Sequence, residues 1–183
     1  MMKAVSTGAL LVFLCLTGVP QVSSGPVHPG GLLEGIARAY PTPERLALFL
    51  RGNLTFQEDV RLFRQPDYWQ DSEEFLRRGR GDCEDYALLA RDLLRLQGFE
   101  AFVLSLYGEA GYAHTVCVYV EKGRYNAVNQ DRLIRAEAGS IPELAGNLYP
   151  RWKWCAIAER QVHRGRAVRV IRRRSRPAEF STR

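Results

Sequence analysis

Gly79-Arg80-Gly81-Asp82-Cys83-Glu84-Asp85-Tyr86-Ala87 places a cysteine directly behind two glycines and an aspartate, at the head of a helical run that reaches Gln97. The glycines break the chain, Asp82 is a helix-capping residue type, and Gly98 closes the run. Cys83 is therefore predicted in the first helical turn. A helix N-terminus and a nearby imidazolium lower a thiol pKa from about 8.5 to roughly 3.5–7.5, which makes a useful nucleophile. The backbone N–H of Cys83 at the same helix start is free to face an oxyanion. One mid-chain histidine, His114, follows on a later strand-like run and is the candidate base.

Outward from this run, Thr42-Pro43-Glu44 opens an amphipathic helix to about Arg51, and Asp71-Ser72-Glu73-Glu74 has the spacing that starts a short helix through Arg77. After Gly98 the hydrophobic period falls from 3.6 to 2. Ala101 to Tyr107, Tyr112 to Val120 and Arg124 to Asn129 read as three strands joined by short glycine-containing turns, hence an antiparallel meander. His114, Val116, Val118 and Val120 share one face, which is expected to pack on the helix from Cys83. Asn129 shares a face with Tyr125 and Ala127 and can lie beside His114 if that face points inward. Ser140-Ile141-Pro142-Glu143 starts another short helix; Trp152 to Ala158 and Ala167 to Ile171 read as further strands. The fold class is α+β, with N-terminal helices, the nucleophile helix among them, packed on an antiparallel sheet. This order meets the geometric needs of a Cys-His-Asn triad: a base within reach of the sulfur and a third group that fixes the imidazole.

The first 25 residues read as a secretory signal: Lys3, an apolar stretch from Ala9 to Val19, and the small-residue site Val22-Ser23-Ser24. That stretch is too short to span a bilayer, and Leu14 before Cys15 does not suit a lipidation site. A secreted, periplasmic protein is expected, with one domain over residues 26–160, a last strand extending to 171, and a basic tail over 172–183. The net charge of +6 is uneven, because Arg160 onward holds nine arginines against Glu179 alone, leaving the rest acidic. The arginine end reads as solvated, with electrostatic contact to a membrane or a wall polyanion as the alternative. It has no aromatic interleaving, so no nucleic-acid partner is expected.

Cys83, Cys117 and Cys155 remain after signal removal, an odd number for an oxidising compartment. Cys117 and Cys155 either pair and leave Cys83 free, or both are small buried hydrophobes. His28 and His163 are assigned no role. Three histidines without a Cys/His cluster argue against zinc.

The run Gly81-Asp82-Cys83-Glu84-Asp85-Tyr86-Ala87, with Asp67-Tyr68-Trp69 and Glu74-Phe75 before it and Ala113-His114-Thr115-Val116 and Val128-Asn129-Gln130 after it, resembles the bacterial transglutaminase-like cysteine proteinases. The upstream Asn53-Leu54-Thr55-Phe56-Gln57-Glu58-Asp59 is similar to that family's pattern, with Phe56 where tyrosine is usual. The resemblance covers about half of the mature chain. It implies a papain-like or transglutaminase-like core and a cysteine peptidase acting on a protein or peptide through an acyl-enzyme. Cys83 would be nucleophile, His114 base, and Asn129 the third member where the family more often has aspartate; Asn126 and Asp131 are substitutes for it. If an amine resolves the acyl-enzyme, the same residues make a transglutaminase. The competing reading is a catalytically inactive binding module that uses the basic tail. Secreted cell-wall peptidases of papain type usually carry Asp-Cys-Ser-Gly, which is not found here. Trp69 reads either as core or as a cleft wall offering its indole N–H near the oxyanion. The chemistry requires no cofactor. Some members of the family bind calcium near the nucleophile, and Asp82, Glu84 and Asp85 offer oxygen ligands. The same three acids also read as a helix cap and as complements of the helix dipole.

Overall fold

The computed structural model describes residues 31–173; the sequence signal at residues 1–25 and the end from residue 174 lie outside them. Caps define the helices. Thr42 Oγ1 accepts the Arg45 N–H at 3.3 Å ahead of α2 (Pro43–Asn53), which follows α1 (Leu32–Ala39). A two-residue strand β1 (Thr55–Phe56) and a short α3 (Asp59–Phe63) come next. Asp71 Oδ1 accepts the Glu74 N–H at 2.8 Å and starts α4 (Ser72–Arg78), which ends on Gly79 with φ 70°. A left-handed residue there favours glycine, and it turns the chain into β2 (Arg80–Gly81) and then α5 (Cys83–Leu96).

The long helix α5 buries Tyr86, Leu89, Ala90, Leu93 and Leu94 on the stripe that a 3.6-residue period produces. Gly98, at φ 90°, reverses the chain into β3 (Glu100–Tyr107). The meander continues as β4 (Ala113–Glu121), β5 (Arg124–Asn129) and β6 (Arg132–Ala138). Ser140 caps α6 (Ile141–Leu148), and the hairpin β7 (Trp154–Gln161) and β8 (Arg164–Arg172) follows. The six long strands form one antiparallel sheet in the order β6-β5-β4-β3-β7-β8.

Both faces of this sheet are covered, and this corrects the expected placement of His114. The face bearing Ala101, Val103, Cys117, Tyr119 and Val128 packs on α5 and the other N-terminal helices. The opposite face, with Leu104, Leu106, Val116, Val118 and Ala127, packs on α6 through Ile141, Leu144 and Ala145. The valines that follow His114 therefore lie under α6 and not under α5. Alternation identifies two faces, but where both are apolar it cannot say which helix each one meets.

The two buried cysteines fall on opposite faces of the sheet with β3 between their strands, so they do not pair: Cys117 and Cys155 are free thiols. The arginines from Arg160 to Arg172 sit on a paired hairpin whose second strand contains the expected Ala167–Ile171 run. At its head, Gly165 lies under the Trp69 indole, where an added Cβ would stand 2.2 Å from Cζ2 and 2.5 Å from Cε2. Gly165→Ala is expected to cost about 1–3 kcal/mol, because a buried bicyclic ring cannot step aside. Denaturant titration of the variant beside the parent checks this.

Candidate active site

Cys83 is positioned by a buried polar lattice. Thr55 N–H donates to Gly79 O at 2.9 Å and Gln57 N–H to Gly81 O at 2.8 Å, so the short parallel pair β1–β2 fixes the turn before the cysteine. Asp85 is fully buried and accepts three N–H bonds: from Gln70 N at 2.8 Å, from Gln70 Nε2 at 2.6 Å and from Asp82 N at 3.1 Å. Gln70 Nε2 also donates to Arg80 O, and Arg78 Nε donates to Gln70 Oε1. Gly81 has no room for a side chain, since a Cβ there would lie 2.2 Å from Asp85 Oδ2. The glycine before Asp82 is thus a close-approach requirement, and Asp85 serves the loop.

The cysteine lies half-buried at the start of α5, where its Sγ donates to Glu84 Oε2 at 3.0 Å. Its other neighbour is the backbone N–H of Thr115, the residue after His114. Gly108 N–H donates to Tyr112 O at the β3–β4 turn, so by antiparallel alternation the Thr115 N–H points away from β3. Pairing of β4 with β5 stops at Cys117 and Val128, so β5 does not take up that N–H, whose direction favours the thiolate. Burial pushes the Cys83 thiol above its ordinary range, and the neighbouring Glu84 and Asp82 charges push it further. This reverses the expectation from the helix start, because burial of the thiolate, and then Glu84 beside it, outweigh a partial positive charge.

His114 Nε2 and Asn129 Oδ1 are 2.8 Å apart. The two side chains sit diagonally on the same face of β4 and β5, and Nε2, not Nδ1, meets the amide oxygen. Nδ1 is left for another partner, and the hydrogen bond of Cys83 in this state goes to Glu84. The two alternatives to Asn129 are engaged elsewhere: Asn126 Oδ1 accepts the Glu137 N–H at 3.0 Å, and Asp131 pairs with Arg51 at 3.2 Å. Beside the imidazole, Tyr112 stacks on Tyr149 with centroids 4.0 Å apart, over Gly108.

Trp69 belongs to the core. It is 5% exposed, and its Nε1–H donates to Asp67 Oδ1 at 2.8 Å, so the indole N–H is not offered to an oxyanion. Its backbone is clamped to the β7–β8 turn, with Trp69 N–H donating to His163 O and Arg160 Nε donating to Trp69 O. His163, to which the sequence assigned nothing, stacks on Tyr68 at 4.5 Å.

The acids around Cys83 form a larger cluster than the sequence suggested. Carboxylate oxygens of Asp59, Asp67 and Glu84 lie within 4.8 Å of one another, as do those of Asp59, Asp82 and Asp85. Asp59 and Glu84 are buried, and Asp59 Oδ2 accepts the Tyr68 N–H. Burial, then Glu84 itself, pushes Asp82 up to about 9; burial likewise raises Glu84 and Asp59. Burial raises Asp85 to about 7 against the opposing Gln70 N–H bonds. Asp59 and Asp67 were quoted in the sequence only as parts of motifs; each is far from Cys83 along the chain, and the turn after α3 brings them back.

A cysteine at the head of a helix laid on an antiparallel sheet, with a hydrogen-bonded histidine and asparagine on adjacent strands, defines the papain-like and transglutaminase-like class of folds. The model of the transglutaminase-like superfamily matches residues 31–130, and the chain belongs to that superfamily. No curated protein matches it in sequence. Among solved structures, a candidate cysteine protease of Cytophaga hutchinsonii is similar with a TM-score of 0.45 and 14% identity, over 56% of this chain and 37% of that one. The chain therefore spans little more than a third of that protein. EGTA-treated LapG of Legionella pneumophila gives a TM-score of 0.45 at 16% identity over 67% of each chain. Calcium-bound LapG gives 0.39 at 17% identity, over 67% of this chain and 62% of that one.

Proposed function

We propose that this chain is a secreted or periplasmic cysteine peptidase or amide hydrolase with Cys83 as nucleophile, His114 as base and Asn129 as the residue that holds the imidazole. The observation that carries the reading is the Nε2–Oδ1 bond of His114 and Asn129 at 2.8 Å, with Cys83 at the head of α5. Asn129 fixes the ring through Nε2 and so leaves Nδ1 to receive the thiol proton. Sγ turns from Glu84, gives its proton to Nδ1 and attacks an amide carbonyl carbon. The oxyanion that forms faces the Cys83 backbone N–H at the helix start. His114 returns the proton to the departing amine as the C–N bond breaks. Water, deprotonated by the same imidazole, then cleaves the thioester and releases the acid. Compartment rests on the sequence signal at residues 1–25; among the described residues no helix is long and apolar enough to cross a membrane.

The acid cluster fits a divalent cation. Asp59 Oδ1 and Asp82 Oδ1 are buried without a hydrogen-bond partner among the described residues, and Asp59, Asp67, Asp82 and Glu84 offer hard carboxylate oxygens, as calcium prefers. Asp59, Asp67, Asp82 and Glu84 would hold it, while Asp85 is already committed to three N–H groups. A cation there would neutralise the carboxylates beside the thiol.

The hydrolase reading is tested by incubating the protein with a peptide-amide library, quenching in acid and reading both products and adducts by mass spectrometry. A hydroxylamine-sensitive thioester on Cys83, together with cleaved peptide, is expected, and both vanish in Cys83→Ala. Absence of cleavage and adduct in the parent would instead support a binding domain.

A further inference from the structure

The β7–β8 hairpin carries a feature that the hydrolase reading does not use. β8 is the last strand of the sheet, and every residue from Arg164 to Val170 is exposed. Ile157 pairs with Arg169 while Ala158 pairs with Ala167, so Val168 is an extra residue, a bulge in the edge strand. The bulge changes the alternation in a definite way. Arg164, Arg166 and Arg169 stand opposite Gln161, Glu159 and Ile157, which share one face of β7. Without the extra residue, Arg169 would point to the other side. With it, three arginines form a row on one face, while Gly165, Ala167 and Val170, opposite Arg160, Ala158 and Ala156, give the other face a small apolar character.

Among the described residues none of these three arginines is in an ion pair, and Glu159 is the one acid on either strand. At the turn, the edge opens into a recess of about 680 Å³ lined by Tyr68, Val162, His163 and Arg166. The row and the bulge exclude a second copy of β8, whose arginines would stand against these at strand spacing. A polyanion or an anionic membrane would meet the charge but leave the outward N–H and C=O groups of the edge to water. An extended polypeptide satisfies both.

We propose that β8 is a docking edge for an acidic segment of a partner polypeptide, which adds to the sheet as a seventh strand. Its carboxylates, on alternate residues, face Arg164, Arg166 and Arg169, and the residues between them are small or apolar. Backbone pairing supplies affinity and the arginine row supplies selectivity. The inference is independent of the chemistry at Cys83.

The test uses the full chain and a fluorescent acetylated peptide of repeating Glu-Val, read by anisotropy. Binding is expected, with affinity about tenfold lower for the double variant Arg166→Glu/Arg169→Glu, whose folding circular dichroism verifies. A peptide of the same charge with alternate backbone amides N-methylated binds the unaltered protein about tenfold more weakly, because it cannot pair with the edge. Equal affinity for the N-methylated peptide would reduce the site to charge attraction and overturn strand addition. So would binding to heparin or phosphatidylglycerol vesicles without binding to the Glu-Val peptide, and so would absence of any binding.

Discussion

In His114→Ala, iodoacetamide alkylates Cys83 on the order of 100-fold more slowly than in the parent at neutral pH, the size expected when a positioned general base is removed. The expectation follows from the way the site holds its sulfur. Burial, and then Glu84 beside it, keep the thiol protonated, so reaction depends on an acceptor for that proton. Two acceptors are candidates. Glu84 Oε2 already takes the hydrogen bond at 3.0 Å, and the imidazole of His114, anchored through Nε2 on Asn129, is the base that the triad reading assigns. The triad reading requires the imidazole to act, so Glu84→Gln must retain reactivity that His114→Ala loses. The reverse result, with Glu84→Gln inert and His114→Ala unchanged, would sink the triad. Peptide-resolved mass spectrometry gives a clean readout, because Cys117 and Cys155 are fully buried and stay unlabelled in native protein. Asn129→Ala should fall between the two, since the ring loses the partner that orients it but keeps its basicity.

The parts of this site differed in how far the sequence revealed them, for physical reasons. The nucleophile helix was legible because its signals are local: glycines, a capping aspartate, a 3.6-residue stripe and Gly98 at φ 90°. Strands β3 to β5 were legible from their period of two and short turns. In contrast, β6 reads Arg-Leu-Ile-Arg-Ala-Glu-Ala, rich in helix formers, and becomes a strand only because β5 offers its edge across a bulge. The side of the sheet on which His114 lies was not legible, since a sheet covered on both faces carries no polar side to orient it. The charge state of Cys83 was misread for the opposite reason. The helix dipole is a local inference, whereas the burial that dominates the thiol comes from packing that only the tertiary fold delivers. Trp69 was assigned two roles, and the Gly165 contact that decides between them spans nearly a hundred residues of chain.

Calcium at about 100 times its Kd raises the melting temperature of the parent by roughly 5–10 °C over the chelated protein, which corresponds to about 2.7 kcal/mol of binding linkage. The argument is electrostatic. Asp59, Asp82 and Glu84 are buried close together, and each has its pKa raised by burial, so without a cation the folded chain holds carboxyls that the unfolded chain hydrates freely. Asp59→Asn and Glu84→Gln remove part of that burden. Each is expected to melt higher than the parent in chelator by roughly 2–5 °C and to lose most of the calcium-induced rise. Asp85→Asn must behave differently. All three hydrogen bonds to its carboxylate come from N–H donors, and an amide would set an NH₂ against one of them, so this variant melts lower both with and without calcium, by about 1–3 kcal/mol in stability. The contrast separates metal-holding acids from a loop-holding acid, even where, as for Glu84 and Asp85, the two are adjacent in sequence. A parent whose melting temperature ignores calcium, or an Asp59→Asn protein that responds to it as the parent does, would remove the cation from this cluster.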